Sequence, residues 1–205
     1  MKRSEINAAL KEMEQMIRDY RFALPPFCSF TPEDWQSKGH DYDEIRDNML
    51  GWDITDYGLG NFEKTGFSLI TIRNGNLKMN GKYTKTYAEK LLYIRDGQYS
   101  PMHFHWNKME DIINRGGNNI IFTFYNADPE TGEFLDTDVL ICQDGRQYTM
   151  PAGSKVTLHP GESMTLYPYL YHEFIIPKGG PSLIGEVSMT NDDNTDNRFK
   201  NPLGR

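Results

Sequence analysis

His103 and His105 stand two residues apart, and Glu110 follows after a gap of four. On a β-strand that spacing turns both imidazoles to one face, and the carboxylate falls far enough along to come back on the next strand. Two imidazoles and a carboxylate suit a divalent transition metal: manganese, iron, cobalt, nickel or zinc. Two histidines on one face are also compatible with a polar patch that binds nothing. The frame around them narrows the choice, because glycines bracket the set in the pattern G-x5-H-x-H-x4-E-x6-G from Gly97 to Gly117.

Such a set needs strands to carry it, and the chain from Phe67 onward supplies them. Phe67 to Arg73 reads as a strand. Tyr87–Arg95 and Gln98–His105 flank Asp96-Gly97, and Val139–Cys142 and Arg146–Met150 flank Asp144-Gly145. Asp-Gly between apolar runs is a hairpin signal. Further short strands are predicted at 119–125, 154–158, 163–167, 172–176 and 182–189. Many short strands with Gly and Pro turns indicate an all-β sandwich or barrel. A two-residue turn at Asp96-Gly97 would set Lys90 directly opposite His103, and opposite residues share a face. Lys90 would then enter the same cavity; another register would leave it on the surface. Alternation groups Glu186 with Ile184 and Ser188, a half-polar face that solvent alone would explain. Trp106 and Lys108, beside the histidines, either line the pocket mouth or decorate a loop.

Upstream of the barrel the pattern is helical. Ile6, Leu10, Met13 and Ile17 recur at helical spacing behind Ser4, a plausible N-cap, and Pro25-Pro26 ends the run. Thr31-Pro32 opens a second helix and Asp43–Leu50 a third. The expected division is a helical extension over 1–55 and a barrel over 56–205. The stripe on the first helix needs cover, either the outside of the barrel or a second subunit.

Composition closes off other classes. The chain has 205 residues, enough for one domain with an extension, and a net charge of −7. That charge excludes the basic footprint of nucleic-acid binding and disfavours anionic membrane surfaces. No apolar run approaches the roughly 20 residues of a membrane span. Cys28 and Cys142 lie far apart, as reduced thiols of a cytoplasmic protein would.

The Gly97–Gly117 pattern resembles the first signature motif of the cupin superfamily at every fixed position. The resemblance implies a jelly-roll barrel and a fourth metal ligand in a second motif, where His172 stands at the family's spacing from Gly161. The rest of that motif departs from the pattern: Pro168 is one place late, Tyr169 stands for glycine and Ile176 for asparagine. More narrowly, Glu89 to Asn114, Glu186-Val-Ser-Met-Thr-Asn-Asp-Asp and Asp196-Asn-Arg-Phe resemble the D-lyxose isomerase family, over most of the chain from Phe27. That resemblance implies a metal, usually manganese, held by His103, His105, Glu110 and His172. It implies Glu186 as catalytic base, with Lys90 either as acid partner or as the group that stabilises charge on the sugar oxygen. Lys90, Glu110, Glu186, Asp196 and Arg198 would contact the sugar, the last two being otherwise simple tail residues, and D-lyxose would be converted to D-xylulose, with D-mannose and D-fructose as a secondary pair. Cupin barrels commonly pair, so a homodimer is expected. Two alternatives use the same residues: an iron-dependent cupin dioxygenase and a non-catalytic sugar-binding cupin.

Overall fold

The computed structural model describes residues 1–205 apart from Asn80, Asn194, Pro202, Gly204 and Arg205. Its helices are α1 (Arg3–Asp19), α2 (Pro32–Gln36) and α3 (Asp43–Asp47), with short 3-10 turns between and after them. The strands are β1 (Gly51–Thr55), β2 (Phe67–Arg73), β3 (Tyr87–Ile94), β4 (Tyr99–His105), β5 (Glu110–Gly117), β6 (Ile120–Ala127) and β7 (Phe134–Leu135). They continue with β8 (Val139–Gln143), β9 (Arg146–Met150), β10 (Lys155–Leu158), β11 (Ser163–Leu166), β12 (Leu170–Ile175), β13 (Ser182–Met189) and β14 (Asn197–Phe199). Eight of them form one sheet in the order β1-β2-β3-β13-β5-β11-β8-β9, and the second sheet runs β10-β6-β12-β4-β14 with β7 beside β6. The two antiparallel sheets face each other as a jelly-roll barrel.

Alternation along each strand separates inside from outside. Leu92, Ile94, Ile112, Phe122, Phe174, Ile176 and Ile184 point between the sheets into the main core. Their neighbours Leu91, Tyr93 and Leu183 point outward with Ile70 and Ile72, and α1 covers them with Met13 and Ile17. The stripe on α1 is thus satisfied by its own barrel. Ile6 and Leu10 stay half-buried near the start of the helix. The helix begins two residues earlier than its sequence suggests, because the Glu5 carboxylate accepts from the Lys2 N–H at 2.7 Å, making Lys2 the N-cap.

Two expectations about layout are corrected. Gly51–Thr55, placed in the helical extension, is a strand paired with β2. Its alternation sends Trp52 toward α1 while Asp53 and Thr55 face the barrel interior. The turn at Asp96-Gly97 is no hairpin: β3 pairs with β2 and β13, whereas β4 pairs with β12 and β14 in the other sheet. Gly97 has φ 82 but Asp96 is not among the positive-φ residues, so the turn lacks the doubly left-handed geometry that keeps two strands together. The chain crosses between sheets there, with the Gly97 N–H on the Ile176 carbonyl at 2.6 Å and the Gln98 amide on the Phe62 carbonyl. At the other end of the motif, Gly117 has φ 92 and passes so close to the Pro181 carbonyl that a Cβ would sit 2.3 Å from it.

Candidate active site

At one end of the barrel the interior turns polar within a single pleat step. Each of four strands replaces an apolar residue by an ionisable one two positions along: Leu92 by Lys90 on β3, Ile112 by Glu110 on β5, Ile184 by Glu186 on β13, and Phe174 by His172 on β12. These side chains and His103 and His105 of β4 line a cavity of about 260 Å³ whose floor is Leu69, Leu92, Ile112 and Phe174. Thr55, Tyr57 and Phe199 close its far wall. The Phe199 ring stacks on His103 at 5.2 Å, and the Tyr57 hydroxyl lies 2.8 Å from Ser100 Oγ.

His103 and His172 are cross-strand partners of β4 and β12, which sets their ring centroids 4.3 Å apart. Ligating nitrogens of His103, His105 and His172 all lie within 4.8 Å of one another. Two of the rings are oriented from behind. His103 Nδ1 donates to the Pro101 carbonyl at 2.7 Å and His172 Nδ1 to the Leu170 carbonyl at 3.0 Å. A carbonyl can only accept, so Nδ1 carries the hydrogen in both and each Nε2 keeps its lone pair for the cavity. His172 Nε2 is buried without a hydrogen-bond partner among the described residues. Burial, reinforced by His172 and His105, holds His103 well below the usual imidazole range. Burial and then His105 push His172 down to about 4. The neutral His103 and His172, with Nε2 lone pairs turned to the cavity, are donors of the kind a divalent cation requires, and His105 stands beside them with its Nδ1 likewise buried and unpartnered among the described residues.

Beside the imidazoles lies a chain of buried ion pairs. Glu110 Oε1 is 3.1 Å from His105 Nε2 and 3.7 Å from His172 Nε2, and Glu110 Oε2 accepts from Lys108 Nζ at 2.6 Å. Lys108 Nζ also reaches Glu186 Oε1 at 3.3 Å, and Lys90 Nζ reaches the same oxygen at 3.2 Å. Lys90 continues to Asp193 Oδ2 at 3.5 Å, a carboxylate that is 57% exposed at the mouth. Burial alone would raise Glu110, but Lys108 and His105 outweigh it and hold the carboxyl well below its ordinary value. Burial would likewise lower Lys108, but Glu110 and Glu186 keep its ammonium above the usual lysine range. For Asp193, desolvation works upward and Lys90 and Lys108 override it, so its carboxyl sits below the usual range. In formal charges, two lysines face three carboxylates, which leaves one negative charge for a cation to balance.

Lys90 faces this cavity, but by a different route from the one its sequence suggested. Its cross-strand partners are Glu186 and Thr71, not His103. The pairing with Glu186 puts acid and amine on the same face of adjacent strands. Asp196 and Arg198 are not brought in. Asp196 is buried, and its carboxylate accepts from the N–H groups of Asn107 and Lys108 and from Asn107 Nδ2, each at 2.9 Å, so it grips the protein's own loop. Arg198 is exposed on β14, where alternation gives the cavity to Asn197 and Phe199 instead. Trp106 packs outside on Phe104 and Tyr169. Lys108 takes the pocket role that its position beside the histidines left open. Asp193 was not singled out, although it closes the Glu186–Asp193 stretch that carries the family resemblance.

The D-lyxose isomerase family model matches residues 1–205. The chain belongs to the D-lyxose isomerase family. It is a sugar isomerase, interconverting aldoses and ketoses, which sets aside the dioxygenase and the non-catalytic binding protein. The D-lyxose/D-mannose isomerase of Escherichia coli O157:H7 is 47% identical over 207 residues, spanning 100% of this chain and 90% of its own. The protein of the same name from Serratia proteamaculans is 45% identical over 208 residues, again 100% and 90%. Among solved structures, Cellulomonas parahominis L-ribose isomerase with L-ribose aligns with a TM-score of 0.60 at 16% identity, covering 100% of this chain and 94% of that one. Acinetobacter sp. DL28 L-ribose isomerase in complex with L-ribose gives 0.63 at 13% identity, covering 97% and 92%. At such identities the likeness concerns the fold alone: the jelly roll is shared. Within that fold, the cluster of His103, His105 and His172 could hold a divalent metal.

Proposed function

We propose that the isomerase interconverts D-lyxose and D-xylulose, with D-mannose and D-fructose as a second pair. The reading rests on one observation: a carboxylate held between two buried ammonium groups, Glu186 between Lys90 and Lys108, in the same cavity as the three imidazoles. His103, His105 and His172, with Glu110 as fourth ligand, would hold a divalent cation, and manganese is the choice carried over from the family resemblance. When bound, the cation supplies Lewis-acid polarisation of the sugar oxygens, which makes the carbon-bound proton acidic enough to move.

The remaining work falls to side chains. Glu186 is the base: it takes the proton from C2 of the aldose, the released electron pair forms the C1–C2 double bond, and the C1 carbonyl pair moves onto O1 to give an enediolate. The same carboxyl, its proton partly exchanged with solvent, then delivers a proton to C1. The hydroxyl proton on O2 must reach O1 for the ketose to form, and Lys90 is the group proposed to relay it. Lys108 faces the developing oxygen charge with a fixed positive charge, and it neutralises Glu110 and Glu186 in the resting site. The apolar floor of Leu69, Leu92, Ile112 and Phe174 keeps water from the far side of the sugar.

Cytoplasmic location belongs to the proposal, supported by two unpaired cysteines, Cys28 and Cys142. No helix is long and apolar enough to cross a membrane among the described residues. The homodimer also remains a proposal, although the helix face that motivated it is covered by the barrel; sedimentation at micromolar concentration decides it, and a monomer removes it.

The test of the reaction combines metal analysis of purified protein with an aldose panel, followed by turnover of D-lyxose in deuterated water. Proton transfer through Glu186 is expected to leave deuterium at C1 of the xylulose. Complete retention of the substrate hydrogen would favour a hydride shift or a proton transfer shielded from solvent. An enzyme fully active without metal would remove the cation.

A further inference from the structure

Lys108 leaves the barrel on the loop 106–109 between β4 and β5 rather than on a strand. A lysine stem has more rotamer freedom to lose than almost any other side chain, so a lysine on a loop is poorly placed by default. Here its ammonium is fully committed. Three N–H donors meet three acceptors: Glu110 at 2.6 Å, Glu186 at 3.3 Å and Asn191 Oδ1 at 3.1 Å. Two of those acceptors belong to the reaction. The third, a neutral amide, does not, and it is itself fastened from behind. The Asn191 N–H donates to Asn74 Oδ1 at 3.0 Å, and the Asn191 carbonyl accepts from Asn74 Nδ2 at 3.1 Å. Asn48 Nδ2 then donates to the Asn74 carbonyl at 2.9 Å, which ties the pair to the end of α3.

The backbone of Lys108 is fixed by a residue of the same stretch after β13. Asp196 accepts from the N–H groups of Asn107 and Lys108 through its carboxylate, and from the Trp106 N–H through its carbonyl at 3.0 Å. Between the two residues, Asp193 meets Lys90. One short stretch therefore touches both lysines that flank Glu186. The Asn74 pair already anchors Asn191 in place, so a loop fastener would have no need of the additional bond to Nζ. The geometry fits a different task, holding an ammonium at a set point between two carboxylates.

We infer that Asn191 and Asp196 are positioning residues for Lys108: Asn191 holds its ammonium and Asp196 its main chain, so that the charge reaches the sugar already in place. The inference rests on the reading of Lys108 as part of the isomerase site. Order of this kind matters to rate, because a displacement of about 1 Å at a reacting group can lower turnover about 10²-fold.

The experiment measures kcat, KM and metal content for Asn191→Ala and Asp196→Asn, each alone and in a Lys108→Met background. It uses the aldose that the wild type turns over fastest. Each single substitution should lower kcat by about 10- to 100-fold, with metal content unchanged. In the Lys108→Met background the same substitutions should change kcat by less than about twofold, because nothing remains for them to place. Equal losses in both backgrounds would overturn the inference, since a purely structural role does not depend on Lys108. A second readout needs no activity. In protein labelled with 15N-lysine, the Lys108 ammonium, identified by its absence in Lys108→Met, should give a solvent-protected signal that both substitutions abolish. A signal preserved in both would also overturn the inference. Full activity in Lys108→Met would instead remove Lys108 from the reaction, leaving the ammonium signal to judge positioning by itself.

Discussion

The polar and apolar halves of the barrel interior are carried by the same strands, and the difference between them is one of ledger sign rather than of architecture. Where β3, β5, β12 and β13 contribute Leu92, Ile112, Phe174 and Ile184, burial stabilises the fold with no partner required. Two residues away the same strands contribute Lys90, Glu110, His172 and Glu186, and burial is tolerable only because each charge finds another and His172 stays neutral. The apolar half holds the barrel closed, and that closure lets the polar half keep charges out of water. The two halves should therefore fail differently when altered.

The largest contrast is expected from Glu186→Gln. The amide keeps the shape of the side chain, so the fold and the metal content should persist while turnover falls by roughly 10²–10⁴-fold, the usual worth of a general base. Steady-state kinetics with metal analysis checks this, and near-normal activity would dismiss the base assignment. The mirror experiment is Phe122→Ala on β6, at 0% exposure and 5.3 Å from the Phe174 ring. It should cost about 3–5 kcal/mol of stability by denaturant unfolding, with kcat of the folded protein changed by less than about twofold. A large loss of kcat there would mean that the halves are not separable.

Acid should distinguish the halves next. In protein stripped of metal, burial and then His105 lower the folded His172 to about 4, below the roughly 6.5 of an unfolded histidine. Between those values the unfolded chain binds a proton that the folded one does not, so stability falls as pH drops from about 6.5 to about 4 and this contribution levels off below. Glu110 acts in the same direction, because its folded carboxyl is held down and its share is lost as pH falls through that value. The Phe122→Ala penalty should stay constant over the same range, which urea midpoints at several pH values would show. The smallest effect is expected at the boundary. Ile112→Val, on the pocket floor and in the core at once, should lose about 0.5–1.5 kcal/mol of stability with little change in kcat. A change in kcat comparable to that of Glu186→Gln would place the floor in the chemistry.

How far the molecule is legible from its sequence depends on which interactions decide each feature. His103 and His105 share a face as their local spacing requires, whereas His172 was reached only through the family resemblance, and the three lie together in the cavity. The two Asp-Gly turns show the limit. At Asp144-Gly145 both residues have positive φ, 50 and 78, and β8 and β9 pair as a hairpin with Gln143 opposite Arg146. At Asp96-Gly97 only the glycine does, because distant residues, Ile176 and Phe62, hold the turn open. Lys90 reached the cavity although the register that predicted it was wrong, since facing is a matter of strand parity and two different partners can share it. Asp196 and Arg198 failed for the opposite reason. Their residue types suit sugar hydroxyls, but the loop amides at 107 and 108 claimed the one and the outward face of β14 the other. Lys108 could not be settled because a loop lysine has no periodicity to read.

The place of β13 in the large sheet has a consequence for how the protein is made. It lies between β3 and β5, near the middle of the sheet although near the end of the chain. A chain emerging from the ribosome must therefore hold β3 and β5 apart, each with an open edge, until residues 182–189 arrive to fill the gap. Until then no arrangement of the earlier strands can bring Glu186 to Lys90. The cavity is consequently among the last features to form, and a chain truncated before Ser182 would present two unpaired edges in place of a site.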